Sequence, residues 1–144
     1  MATRSSITAK VGKQYVGVYC HNDGYPSGVG QTLFLHHNSQ EAAEAIVALG
    51  ALSQLHAQLA PNVGEEHSFD DPIHGVTIAY HRDRDEDMMV SRGPSWKVAR
   101  EKIDAAYHYL FEDGLWFCTS EYGTFEKIPL TRFIDGEDFA DDPI

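Results

Sequence analysis

Residues 22–30, Asn-Asp-Gly-Tyr-Pro-Ser-Gly-Val-Gly, hold three glycines and a proline directly before a helix-forming run. A glycine-rich loop feeding a helix leaves backbone N–H groups unpaired at the helix start, and such groups bind phosphates and other anions. Gly28-Val29-Gly30-Gln31-Thr32 echoes the end of a phosphate loop. It lacks the lysine and the full Gly-x-x-x-x-Gly-Lys-Ser/Thr spacing, which argues against nucleotide hydrolysis of the P-loop kind. Tyr15, Tyr19, Tyr25 and Phe34 flank the loop and supply flat surfaces on which a base can stack. Arg82 and Arg84 are the close-spaced arginines of an acidic chain, and a guanidinium facing the loop would grip a phosphate bidentately. The expected ligand-binding set is Tyr19, His21, Asp23, Gly24, Tyr25, Gly28, Gly30, Thr32, Arg82 and Arg84. Each has an ordinary alternative. The glycines suit a tight strand-to-helix connection, Asp23 suits a turn bonded to its own backbone, and the tyrosines suit a core.

Other chemistry has less support. There is no Gly-x-Ser-x-Gly and no His-Glu-x-x-His. His67, Asp70, Asp71 and His74 are metal-ligand types without a recognised metal-site spacing, and no metal or cofactor is assigned. Adjacent His36 and His37 on a helix point about 100° apart and do not share one ion easily. Cys20 and Cys118 sit in apolar, strand-like stretches and read as buried free thiols of a cytoplasmic protein.

These residues need a scaffold, and the chain supplies one domain's worth of it. Of 144 residues, 42% are hydrophobic and 23% charged, as in a globular protein. Ser5–Val11 and Gln14–His21 alternate around Gly12-Lys13 and predict a hairpin. Gln31–His37 predicts a helix. A second helix is expected after it, with Asn38 and Glu41 as a capping box, Ala42, Ala45, Ile46 and Leu49 as its apolar face, and Gly50 as its stop. Leu52, Leu55 and Leu59 predict a further helical turn or two ending at Pro61. Residues 62–74 read as a loop, Gly75–Tyr80 as a strand and Arg82–Asp87 as a charged turn. Ser95–Asp104 reads as a helix started near Pro94. Tyr107–Phe111 and Leu115–Thr119 around Asp113-Gly114 predict a second hairpin, and Phe125–Phe133 a last short strand. The sum is an α+β domain over residues 1–134: a mostly antiparallel sheet with two to three helices packed on one face. Residues 135–144 read as an acidic tail.

Eleven Lys and Arg against 22 Asp and Glu give a net charge of −11. Five of those acids lie between Asp135 and Asp142, which leaves about −6 on the body. Such a chain is a poor direct binder of nucleic acid or of an anionic membrane. No apolar run approaches the roughly 20 residues of a membrane helix.

Thr3-Arg4-Ser5 followed by Tyr19-x-His21-x-Asp23-Gly24-Tyr25-Pro26-x-x-x-Gly30-x-Thr32-Leu33 resembles a family of small, largely uncharacterised proteins of tailed phages and prophages. Ala48-Leu49-Gly50-x-Leu52-Ser53, His67-x-Phe69-Asp70, Ala79-Tyr80-x-Arg82-Asp83 and Tyr109-Leu110-Phe111-x-Asp113-Gly114-x-Trp116 are similar to it too. Asn22 stands where relatives often carry Trp, and Gln31 where they often carry Lys. The resemblance implies a phage protein working in the cytoplasm of an infected cell, where small accessory proteins often act against host immunity. The expected function is capture of a nucleotide-derived immune signal without catalysis, alone or as a homo-oligomer. Two other readings remain open. One is an acidic inhibitor of a basic, nucleic-acid-handling host complex, anti-CRISPR-like; the other is a metal-dependent nucleotide hydrolase.

Overall fold

The computed structural model describes residues 2–122 and 127–134, and the expected acidic tail lies outside them. The chain begins with β1 (Ser5–Val11) and β2 (Gln14–Cys20), the predicted hairpin. Gly12 closes it at φ 63°, a left-handed conformation that glycine adopts without a steric cost. A wide helical turn over Pro26–Gly30 runs directly into α1 (Gln31–His36), with α2 (Gln40–Val47) after it. Then come β3 (Leu52–Gln54), β4 (Ile78–Ala79), α3 (Tyr80–Arg84), β5 (Ser91–Gly93) and α4 (Trp96–Glu101). The described residues end with β6 (Tyr107–Glu112), β7 (Leu115–Cys118), β8 (Ile128–Pro129) and α5 (Thr131–Ile134). The fold is α+β.

One mixed sheet of eight strands runs β4-β3-β2-β1-β6-β7-β8, with β5 paired to β2. Most pairings are antiparallel; β1 with β6 and β2 with β3 are parallel. The second hairpin, β6–β7, turns as expected: Asp113 and Gly114 both take positive φ, 54° and 79°, as a type I′ turn requires.

Side chains alternate along each strand, so the two sheet faces can be told apart by residue parity. Ile7 and Ala9 of β1, Val16, Val18 and Cys20 of β2, and Tyr109 and Phe111 of β6 join Leu33, Ala43 and Ile46 in the main core. Each fully buried Leu or Ile here contributes roughly 1.5–3 kcal/mol. The opposite parity, Thr8 and Gly17 among it, faces Ile103 just beyond α4, and α4 packs on β1 and β2. Thr8 Oγ1 would lie 2.7 Å from a Cβ at position 17, so only glycine fits there. Both faces of the sheet are therefore covered, and β1 is buried from Ser5 through Ala9.

Several expected elements shift. Ser39, not Asn38, caps α2: its backbone is extended and its Oγ accepts from the Ala42 amide at 3.1 Å. The buried face becomes Ala43, Ile46 and Val47, with Ala45 exposed, because it must meet β1, β2 and β6. Leu52–Gln54 is a strand and not a helical turn. Gly50 at φ 77° redirects the chain, and the carbonyls of Leu52 and Ser53 accept from His21 and Asn22 N–H beyond the end of β2. The charged turn after Tyr80 begins as α3, and β5 was not foreseen. Five helices are present among the described residues where two to three were expected; α3 and α5 are only five and four residues long. The last strand is Ile128–Pro129, with residues 125–126 of its expected span outside the described residues. Cys20 and Cys118 are free and buried, and burial pushes both thiols up to about 12. No helix among the described residues is long and apolar enough to cross a membrane.

Candidate functional site

The glycine loop closes on itself. Asp23 sits at φ 58° and its carbonyl accepts from the Val29 amide at 2.7 Å. A Cβ on Gly28 would fall 2.3 Å from that same oxygen. The Gly28 amide bonds Tyr25 O at 2.9 Å, and the Gln31 amide bonds the carbonyls of Pro26 and Gly28. Gly24 presses on the β1 entry, its amide on Thr3 O at 2.8 Å, and its carbonyl accepts from the buried Tyr109 hydroxyl at 2.7 Å. Gly30 packs against Tyr109 and Leu130. The amides of Gly24, Gly28, Val29 and Gln31 are thus bonded within the protein, and each glycine is explained by a close approach. Tyr25 is exposed at the loop surface with its hydroxyl donating to Asp23 Oδ1 at 3.0 Å, and Thr32 is half-buried on α1.

Arg82 and Arg84 part company. Arg82 donates to Leu59 O and Thr77 O, both at 2.6 Å, and to both oxygens of Asp83 at 2.8 and 2.9 Å. Asp83 is almost fully buried; its carboxylate also accepts from the Ala79 amide at 2.8 Å and lies 3.4 Å from His67 Nε2. Burial alone would raise the Asp83 pKa, but Arg82, the Ala79 amide and His67 outweigh it and the net direction is down. His67 accepts from the Ile73 amide at Nδ1 and reaches Thr77 O with Nε2, so both ring nitrogens are engaged. This cluster ties the 59–77 connection to α3. Among the described residues, no three His, Cys, Asp or Glu converge as a metal site would need.

Arg84 faces the other way. Its guanidinium lies 4.2 Å from the Phe69 ring centroid and 5.1 Å from that of Tyr80, a cation–π stack that holds it half-exposed. Its Nε donates to the Glu86 carboxylate. Asp85, left-handed at φ 53°, ends α3 and turns the chain so that the Glu86 amide bonds Tyr80 O at 3.2 Å. That turn brings Glu86 alongside Arg84.

Between this turn, β2 and the end of α4 lies a cleft of about 640 Å³, within the range of small-molecule sites. Gly17 and Tyr19, on the β2 face turned from the core, line it. Arg4 before β1, Tyr80 and Arg84 of α3, Glu86 beyond it, Met89 and Val90, and Lys102, Ile103 and Asp104 after α4 are also in its wall. No residue of 22–30 takes part. Burial raises the Tyr19 pKa despite the nearby Arg4, so the phenol is neutral at pH 7, and its oxygen lies 2.6 Å from His21 Nδ1. His21 lines a second concavity of about 510 Å³ with Thr3, Arg4, Asp104, Glu121 and Tyr122.

The structure therefore brings Tyr19 and Arg84 together, with His21 next door, and leaves Asp23, Gly24, Tyr25, Gly28, Gly30, Thr32 and Arg82 out of the cleft. Arg4, Tyr80 and Lys102 were missed. Tyr80 and Arg84 lie four apart, one face of a helix, and that spacing was the available signal. No protein-family model matches the chain, and no curated protein or solved structure matches it either.

Proposed function

We propose that the cleft between α3, β2 and the end of α4 binds a nucleotide-derived small molecule and holds it unchanged, so that the protein acts by sequestration. The observation that carries this reading is the concentration of cations and aromatics in one concavity. Arg4, Arg84 and Lys102 meet Glu86 and Asp104 there, a local balance of +1 in a chain of −11, beside Tyr19 and Tyr80. Tyrosine rings stack on a flat base, and guanidinium groups pair with phosphate. The resemblance to small tailed-phage proteins supports a counter-defence role: capture of a nucleotide-derived signal of host immunity inside the infected cell.

The test is thermal stability against mono-, di- and cyclic nucleotides and ADP-ribose derivatives, with each ligand chromatographed afterwards. A ligand at 100 to 1,000 times its Kd raises stability by roughly 2.7–4.1 kcal/mol. A shift of that size with the ligand recovered intact is the expected result. A ligand recovered altered would make the protein an enzyme. A flat panel would overturn the reading in favour of an acidic inhibitor of a basic host complex, whose partner binding would weaken steeply with salt.

A further inference from the structure

The two concavities share a wall. Arg4 and Asp104 line both, and they form an ion pair at 3.6 Å with side chains 52% and 95% exposed. So exposed a pair is weak and exchanges readily for a better anion. The two sides differ in charge. The first cavity adds Arg84, Lys102 and Glu86 to the shared pair, a balance of +1; the second adds only Glu121, a balance of −1, with Arg4 as its one arginine or lysine among the described residues. The second side therefore disfavours a phosphate of its own and suits a neutral group rich in hydroxyls, which donate to carboxylates. Tyr122, 72% exposed, offers that group a ring to stack on.

Resting on the proposed function above, we infer that the ligand is a dinucleotide that straddles the Arg4–Asp104 wall. One nucleotide lies between Tyr19 and Tyr80 with its terminal phosphate toward Arg84. The internucleotide phosphate takes Arg4 from Asp104, and the second nucleoside lies in the His21–Tyr122 cavity. The freed Asp104 carboxylate and Glu121 accept its sugar hydroxyls.

Calorimetric titration with AMP, GMP and the corresponding 5′-phosphorylated linear dinucleotides tests this on the full chain. The expected result is dinucleotide binding at least tenfold tighter than mononucleotide. Tyr122→Ala, on an exposed side chain, and Ala105→Trp, which fills the second cavity, should each erase that advantage while leaving mononucleotide affinity within twofold. Equal affinities, or an advantage that survives both variants, would overturn the inference and leave the proposed function standing. Binding of neither class to the unaltered protein would overturn both.

Discussion

Residues 22–30 and residues 80–86 are both short connections leading out of a strand, and they spend their polar groups in opposite directions. The first turns them inward: the amides of Gly24, Gly28, Val29 and Gln31 are all bonded to carbonyls of the chain, Gly24 and Gly28 sit against passing backbone, and Gly30 sits against the side chains of Tyr109 and Leu130. The second turns Arg84 and Tyr80 outward into a cleft while its neighbour Arg82 does the internal work. Conspicuous composition thus marks a tight fold, and residues from well-separated segments of the chain, Tyr19 and Arg84 among them, make the pocket. Two arginines two positions apart carry the lesson most clearly, because on a short helix they face different surroundings.

That contrast is breakable. Arg82→Ala should have the largest effect on stability, about 3 kcal/mol in urea denaturation, because it leaves the buried Asp83 carboxylate without its guanidinium. Ligand affinity of the folded fraction should be unchanged; a stable Arg82→Ala protein with lost affinity would put the site on the wrong arginine. Acidification should also strike the framework and spare the cleft. Burial, helped by Arg100, depresses the His108 pKa to about 4, so the unfolded chain binds the extra proton first. Stability should then fall as pH drops from the unfolded value near 6.5 toward the folded one, by about 2 kcal/mol between pH 7 and 5. His108→Gln should flatten that slope, and an unchanged slope would assign it elsewhere.

Gly28→Ala comes next. With a Cβ forced onto Asp23 O it should lose about 1–3 kcal/mol of stability, and nucleotide affinity measured on folded protein should hold. Normal stability with abolished binding would return the site to the loop. The smallest change in stability belongs to Arg84→Ala. Its pairing with Glu86 and its stack on Phe69 and Tyr80 are half-exposed, so about 1 kcal/mol should be lost, while affinity for a phosphorylated ligand should fall at least tenfold.

Much of the fold was legible because its signals are local. Asp113-Gly114 takes the two positive φ angles of a type I′ turn, and Gly12 supplies the single positive φ, 63°, at the turn of the first hairpin. Leu52–Gln54 was misread because a leucine spacing of three and four suits a helix, whereas the end of β2 offers hydrogen bonds that only the tertiary structure supplies. The α2 face rotated by one residue for a related reason: the sheet, not the cap, chooses which side is buried. The cleft was half-legible. Tyr19 and Arg84 stood out by type, but Arg4 and Lys102 reach the same cavity only because α4 packs across β1 and β2. No spacing in the chain records that meeting.

Whether the cleft or the glycine loop meets the ligand can be read residue by residue. Amide NMR spectra recorded while titrating the nucleotide that stabilises the protein most would test it directly. The resonances of Gly17, Tyr19, Tyr80, Arg84 and Lys102 should move together while those of Asp23 through Gly30 stay in place. Shifts centred on Asp23 through Gly30, with the cleft silent, would contradict it.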